Sequence, residues 1–139
     1  IGLWLFHYFL SFCCFTDSSG SQLNSNLTGY GENSDGKYWK FPDGTLICAS
    51  QKTFSNIPIT TAWGVLFENA SALNLGNFPY PFVSTPISIQ ATTIGQAVGI
   101  ERVALTSATA WGNTYFYMPM SVTLQTIIIS LVAIGRWKN

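Results

Sequence analysis

From Lys37 to the C-terminus, apolar and polar residues alternate over short stretches broken by Gly, Pro, Asn and Asp. An alternation of two puts successive side chains on opposite faces of a strand. In "KYWKFPDGTLICAS", residues 37–50, it predicts two strands hinged on Pro42-Asp43-Gly44. Pro42 presets φ for a type I turn, and Gly44 supplies the left-handed residue of the bulge that closes it. "TTAWGVLF" predicts a single strand with Thr61, Trp63, Val65 and Phe67 on one face. "ISIQATT" alternates with Ile87, Ile89 and Ala91 inward, and "IERVALTS" and "TYFYM" continue the pattern on either side of a loop, "ATAWGN". "NFPYPFVSTP" is excluded from the middle of a sheet, because Pro79 and Pro81 donate no backbone hydrogen bond. It predicts an extended edge segment anchored by Phe78, Tyr80 and Phe82. No stretch beyond residue 37 combines a 3.6-residue apolar period with capping residues, and "ENASALNLG" has room for one helical turn at most. The expected fold is all-β, an antiparallel β-sandwich of short strands.

The last strand, "TIIISLVAIGRWK", departs from alternation: it is apolar from Ile127 to Ala133 except at Ser130. A strand apolar on both faces is buried on both. In a two-layer domain this predicts one face in the core and the other against a neighbouring subunit, with Ile127, Ile129, Leu131 and Trp137 as candidate interface residues. Arg136 is expected to pair with an acidic neighbour such as Glu101.

The N-terminal residues follow neither pattern. Residues 1–15, "IGLWLFHYFLSFCCF", are apolar but shorter than the roughly 20 residues of a membrane-spanning helix, and no Lys or Arg flanks them. They read either as a truncated signal or membrane segment or as a boundary artefact. The start at Ile1 points to a fragment or a processed product. Residues 16–36 are dense in Ser, Asn and Gly, the composition of a disordered or extended linker. The division expected is therefore an apolar segment 1–15, a linker 16–36 and a β-domain 37–139.

Composition narrows the chemistry. Charged residues are only 9% of the chain against the roughly 25% of ordinary globular proteins, and six acidic residues cancel six basic ones. No basic field is available for a phosphate backbone, so nucleic acid is not an expected partner. Neutral polar surfaces of this kind suit glycans or other copies of the same chain. Three cysteines, Cys13, Cys14 and Cys48, cannot all pair, and with His7 as the single histidine no metal site or cofactor is predicted. Cys48 reads as a buried thiol. Within residues 37–139, Glu68 and Glu101 are the one conceivable acid/base pair, and Glu101 beside Arg102 more plainly forms an ion pair. No catalytic residues are assigned, and the chain is not expected to be an enzyme. The N-x-S/T triplets at Asn26 and Asn69 would signify glycosylation only in a eukaryotic secreted protein. What remains is a binding surface: in "TAWGNTYFY", Trp111, Tyr115 and Tyr117 can stack on sugar rings while Asn113 bonds to sugar hydroxyls. The same rings could instead fill the core or a subunit interface.

The ordered set "YWKFPDGTLIC", "TTAWG", "LGNFPYPFVSTPISI" and "VAIGRWK" resembles the C-terminal tip domain of phage tail fibres and minor structural proteins, of the gp53-like type. The resemblance covers residues 37–139. It implies a homotrimeric β-sandwich at the distal end of a fibre, located on the virion, that adsorbs to host surface polysaccharide or teichoic acid without catalysis. It carries over no binding motif. Two alternatives stay open: a fibre-capping or trimerisation domain that binds no ligand, and a secreted or membrane-tethered bacterial surface domain in which residues 1–15 form the signal or anchor.

Overall fold

In a computed structural model, residues 27–95, 98–105 and 107–139 are described. His7, Cys13, Cys14, Asn26 and the apolar N-terminal segment lie outside them. The described chain is all-β and antiparallel. Its strands are β1 (Gly29–Asn33), β2 (Gly36–Lys40), β3 (Thr45–Ile59), β4 (Thr61–Trp63), β5 (Leu66–Glu68), β6 (Leu73–Asn74), β7 (Ser88–Thr93), β8 (Gly99–Ala104), β9 (Asn113–Met118) and β10 (Val122–Arg136). Sheet A has the order β1-β2-β3-β10-β7. Sheet B is built on β9, with β8 along one edge and both β5, which carries β4, and β6 along the other. The expected sandwich is present. "ENASALNLG" forms the two-residue β6 rather than a helical turn.

The hairpin at Pro42-Asp43-Gly44 forms as its residues dictate. Gly44 N–H donates to the Phe41 carbonyl (3.0 Å) and Phe41 N–H to the Thr45 carbonyl (2.9 Å), with Gly44 at φ +92°. Asp43 accepts from the Thr45 backbone N–H (2.8 Å) and hydroxyl (2.9 Å), and these bonds hold its carboxyl below the ordinary aspartate range. The C-terminus closes on this turn. Trp137 N–H donates to Gly44 O (3.0 Å), the Trp137 indole N–H to Phe41 O (2.9 Å) and Arg136 to Asp43 O (2.9 Å). Arg136 and Trp137 are thus engaged within their own chain, and Arg136 does not reach Glu101, which pairs with Arg102 at 3.0 Å.

The sheet begins earlier than the composition suggests. β1 lies inside the expected linker and pairs with β2 from Gly29↔Lys40 to Asn33↔Gly36. Gly-rich sequence here serves packing: a Cβ at Gly31 would fall on the Tyr38 ring. "TTAWGVLF" is a hairpin rather than one strand. Gly64 takes φ +63° and, with Val65, turns the chain between Trp63 and Leu66.

The two longest strands, β3 and β10, pair along almost their whole length. Along β3, inward positions are even from Leu46 to Ser50 and odd at Ile57 and Ile59. A bulge makes the switch. Ser55 and Asn56 together oppose Thr126, with Asn56 at φ 58°. On β10 the inward residues are Ile127, Ile129, Leu131 and Ala133, each with no exposed surface. This overturns the assignment of Ile127, Ile129 and Leu131 to a subunit interface, because they are already enclosed by Leu46, Cys48, Phe116 and their neighbours in the chain's own core. Opposite the core-facing residues, the strand's outward apolar residues between Ile127 and Arg136 are Ile128, Val132 (37% exposed) and Ile134 (41%).

Phe78 and Phe82 anchor the proline-rich segment in the core as expected, edge to face at 4.8 Å. Ile89 and Ala91 pack inward from β7, but Ile87 does not. It precedes the strand and is 82% exposed. Cys48 is buried, with its thiol directed at the Tyr80 carbonyl (3.5 Å), and burial pushes its pKa up to about 11.

Candidate functional site

β9 sorts the candidate binding residues by parity. Thr114 and Phe116 point inward with no exposed surface, while Asn113, Tyr115 and Tyr117 face outward. Phe116 lies 6.1 Å from Phe54 of the opposite sheet, and the Thr114 hydroxyl donates to Arg102 O at 2.8 Å. With its inner residues fixed in this way, the strand can hold its outer residues in one orientation.

Tyr117 is flanked by Gly99 on β8 and Glu68 on β5. A Cβ at position 99 would fall on the Tyr117 ring, so the ring lies flat over the glycine. A strand glycine commonly marks such a close approach. One ring face is thereby covered by the sheet. Trp63, 44% exposed at the end of the β4–β5 hairpin, adds a second ring 6.0 Å away at 56°. Tyr115, two residues along β9, lies beneath the Arg102 guanidinium at 5.6 Å. Glu101 and Arg102 are neighbours in sequence, and an ordinary strand would send them to opposite faces. The register shift between Ile100 and Arg102 relieves that constraint and lets them pair at 3.0 Å. Asn113 and Asn74, directly opposed on β9 and β6, continue the face with amides.

Of the four residues singled out in "TAWGNTYFY", Asn113, Tyr115 and Tyr117 come together and Trp111 does not. Trp111 is fully enclosed, 4.5 Å from the Phe78 ring. Its loop is drawn inward by backbone bonds from Trp111 N–H to Gly76 O (2.9 Å) and from Leu75 N–H to Gly112 O (3.0 Å). Among the described residues the indole N–H of Trp111 has no hydrogen-bond partner, so it serves the core as an apolar ring. Trp63 takes its place on the face. The signal for it was the Trp-Gly-Val sequence, in which glycine at the first turn position ends the strand beside the tryptophan.

β9 also depends on Asn69, which fills the gap between β5 and β6. Its backbone N–H donates to Phe116 O (3.3 Å), its Oδ1 accepts from Phe116 N–H (2.7 Å), and its Nδ2 donates to Ser71 O (2.6 Å). Asn69 is 3% exposed, so the folded chain offers no acceptor for a glycan at this triplet. Among the described residues no cluster of His, Cys, Asp or Glu could hold a metal ion, and no helix is long and apolar enough to cross a membrane.

No protein-family model matches the chain, and no curated protein matches it. A solved structure of an N-truncated R1-type pyocin tail fibre is similar to it at 19% identity and a TM-score of 0.48, over 86% of this chain and 97% of that one.

Proposed function

We propose that this chain is the receptor-binding tip of a phage or prophage tail fibre, located on the virion, and that it adsorbs to host surface glycan through the outer face of sheet B. The observation that carries the reading is the set of Trp63, Tyr117 and Tyr115 rings on one face of sheet B, outside the core. Flat rings flanked by amides fit the apolar faces and hydroxyls of pyranoses. The assignment to a fibre rests on the motif set of residues 37–139, whose first and last members meet where Trp137 and Arg136 bond to the Phe41–Gly44 turn. The role is adsorption without catalysis and needs no cofactor.

The working unit in this proposal is a homotrimer. Its contacts move from the enclosed Ile127, Ile129 and Leu131 to the outer face of sheet A, where Tyr30, Trp39, Ile47 and Ile134 form one cross-strand row beside Val132. That row also supports a second reading, a capping or trimerisation domain without a ligand. A tethered bacterial surface domain would rest on residues 1–15 alone.

The test is binding of the labelled full chain to a panel of Gram-positive cells before and after periodate oxidation of their surface glycan. Binding should fall at least tenfold after oxidation, and Trp63→Ala should reduce binding to untreated cells to a similar degree. Binding indifferent to both treatments would reject the glycan reading, and a chain that binds no cells would favour the capping role.

A further inference from the structure

We infer that the outer face of sheet B selects uncharged glycans and rejects phosphate-bearing polymers such as teichoic acid. This inference rests on the adsorption reading above and narrows its ligand class.

The reason is the charge left on the face once its internal pairs are counted. Two carboxylates flank the rings: Glu68, directly across from Tyr117, and Glu101, on the strand bearing Arg102. Arg102 is the one cation there among the described residues, and it is already committed twice. It holds Glu101 at 3.0 Å and covers the Tyr115 ring at 5.6 Å.

The remaining basic residues belong to sheet A and its turn. Lys37 and Lys52 pair with Glu32 (3.5 Å) and Asp35 (3.8 Å). Lys40 lies over the rings of Tyr80 (4.3 Å) and Trp137 (5.3 Å), Arg136 bonds to the Asp43 carbonyl, and Lys138 covers Trp137 at 5.0 Å. A polyanion laid along β9 would therefore meet more negative than positive charge and gain no unpaired guanidinium for its phosphates. Like charges brought together cost free energy, and no free guanidinium is there to offset it with charge-assisted hydrogen bonds. A neutral pyranose incurs no such cost, and it finds flat rings with the amides of Asn74 and Asn113 alongside.

The experiment takes wall polysaccharide from a strain that the full chain binds and separates it by anion exchange into neutral and anionic fractions. Each fraction then competes for binding of the labelled full chain to those cells, at low and at high sodium chloride. The neutral fraction should compete, with little dependence on salt, and Trp63→Ala should weaken that competition at least tenfold. Glu68→Gln combined with Glu101→Gln should improve competition by the anionic fraction at least tenfold.

Stronger competition by the anionic fraction against the unaltered chain, relieved by salt, would overturn the inference and leave adsorption to glycan standing. Competition by the neutral fraction that Trp63→Ala leaves unchanged would overturn the assignment to this face. A chain that binds no strain removes the adsorption reading itself.

Discussion

Replacing Asn69 with Ala should be among the most damaging single changes available in sheet B. Asn69 stands in for a missing ladder residue: neither β5 nor β6 pairs with Phe116, and the Asn69 side chain supplies the acceptor that Phe116 N–H needs. Phe116 is fully buried, so removing that oxygen strands a donor away from water. An orphaned buried donor costs about 1–3 kcal/mol. Loss of the Nδ2 bond to Ser71 O adds up to about 1 kcal/mol, because Ser71 is exposed and its carbonyl can turn to water. The total is about 1–4 kcal/mol, a fall in Tm of roughly 4–16 °C for a domain of this size. Urea unfolding followed by tryptophan fluorescence measures it directly. Asn113→Ala, on the exposed side of β9, is the control and should stay within about 0.5 kcal/mol of the parent. A loss below about 0.5 kcal/mol for Asn69→Ala would refute the reasoning, since Phe116 N–H would then have another acceptor.

Trp137→Phe keeps an aromatic ring over Lys40 but removes the indole bond to Phe41 O. It should cost about 1 kcal/mol in urea unfolding and leave the mass seen by native mass spectrometry unchanged. The Cys48 thiol, held protonated up to about pH 11 against an ordinary value of 9.0, should not react with an aromatic disulfide reagent at pH 8 until the chain unfolds. Above pH 9 the unfolded thiol ionises while the folded one does not. Stability should therefore fall between pH 9 and 11 more steeply in the parent than in Cys48→Ala. Asn56→Gly should be tolerated, whereas Asn56→Val, forced to φ 58°, should cost roughly 1–3 kcal/mol by the same unfolding assay.

What the sequence determined by itself was whatever local chemistry enforces. The Pro42-Asp43-Gly44 turn, the strand period on either side of it, the anchoring of Phe78 and Phe82 and the buried Cys48 follow from residues within a few positions of one another. The all-β class follows from the same period. Charge scarcity likewise needed no structure to make nucleic acid an unexpected partner.

Tertiary structure decided everything in which two equally apolar options competed. Ile127 to Ile134 could enter the core by odd or even positions. Register with β3, where Ala133 meets Cys48 and Leu131 meets Ser50, chose the odd set and placed the expected interface residues inside the chain. The β3 bulge is invisible to a period-two reading, because Asn56 is an unremarkable residue until its partner strand demands an extra one. Trp111 and Trp63 both occur before glycine, yet one is enclosed and the other displayed. In each case the deciding partner is distant in sequence. Backbone bonds from Trp111 N–H to Gly76 O and from Leu75 N–H to Gly112 O pull the Trp111 loop inward, and β9, brought alongside β5 only in the folded chain, sets Trp63 beside Tyr117.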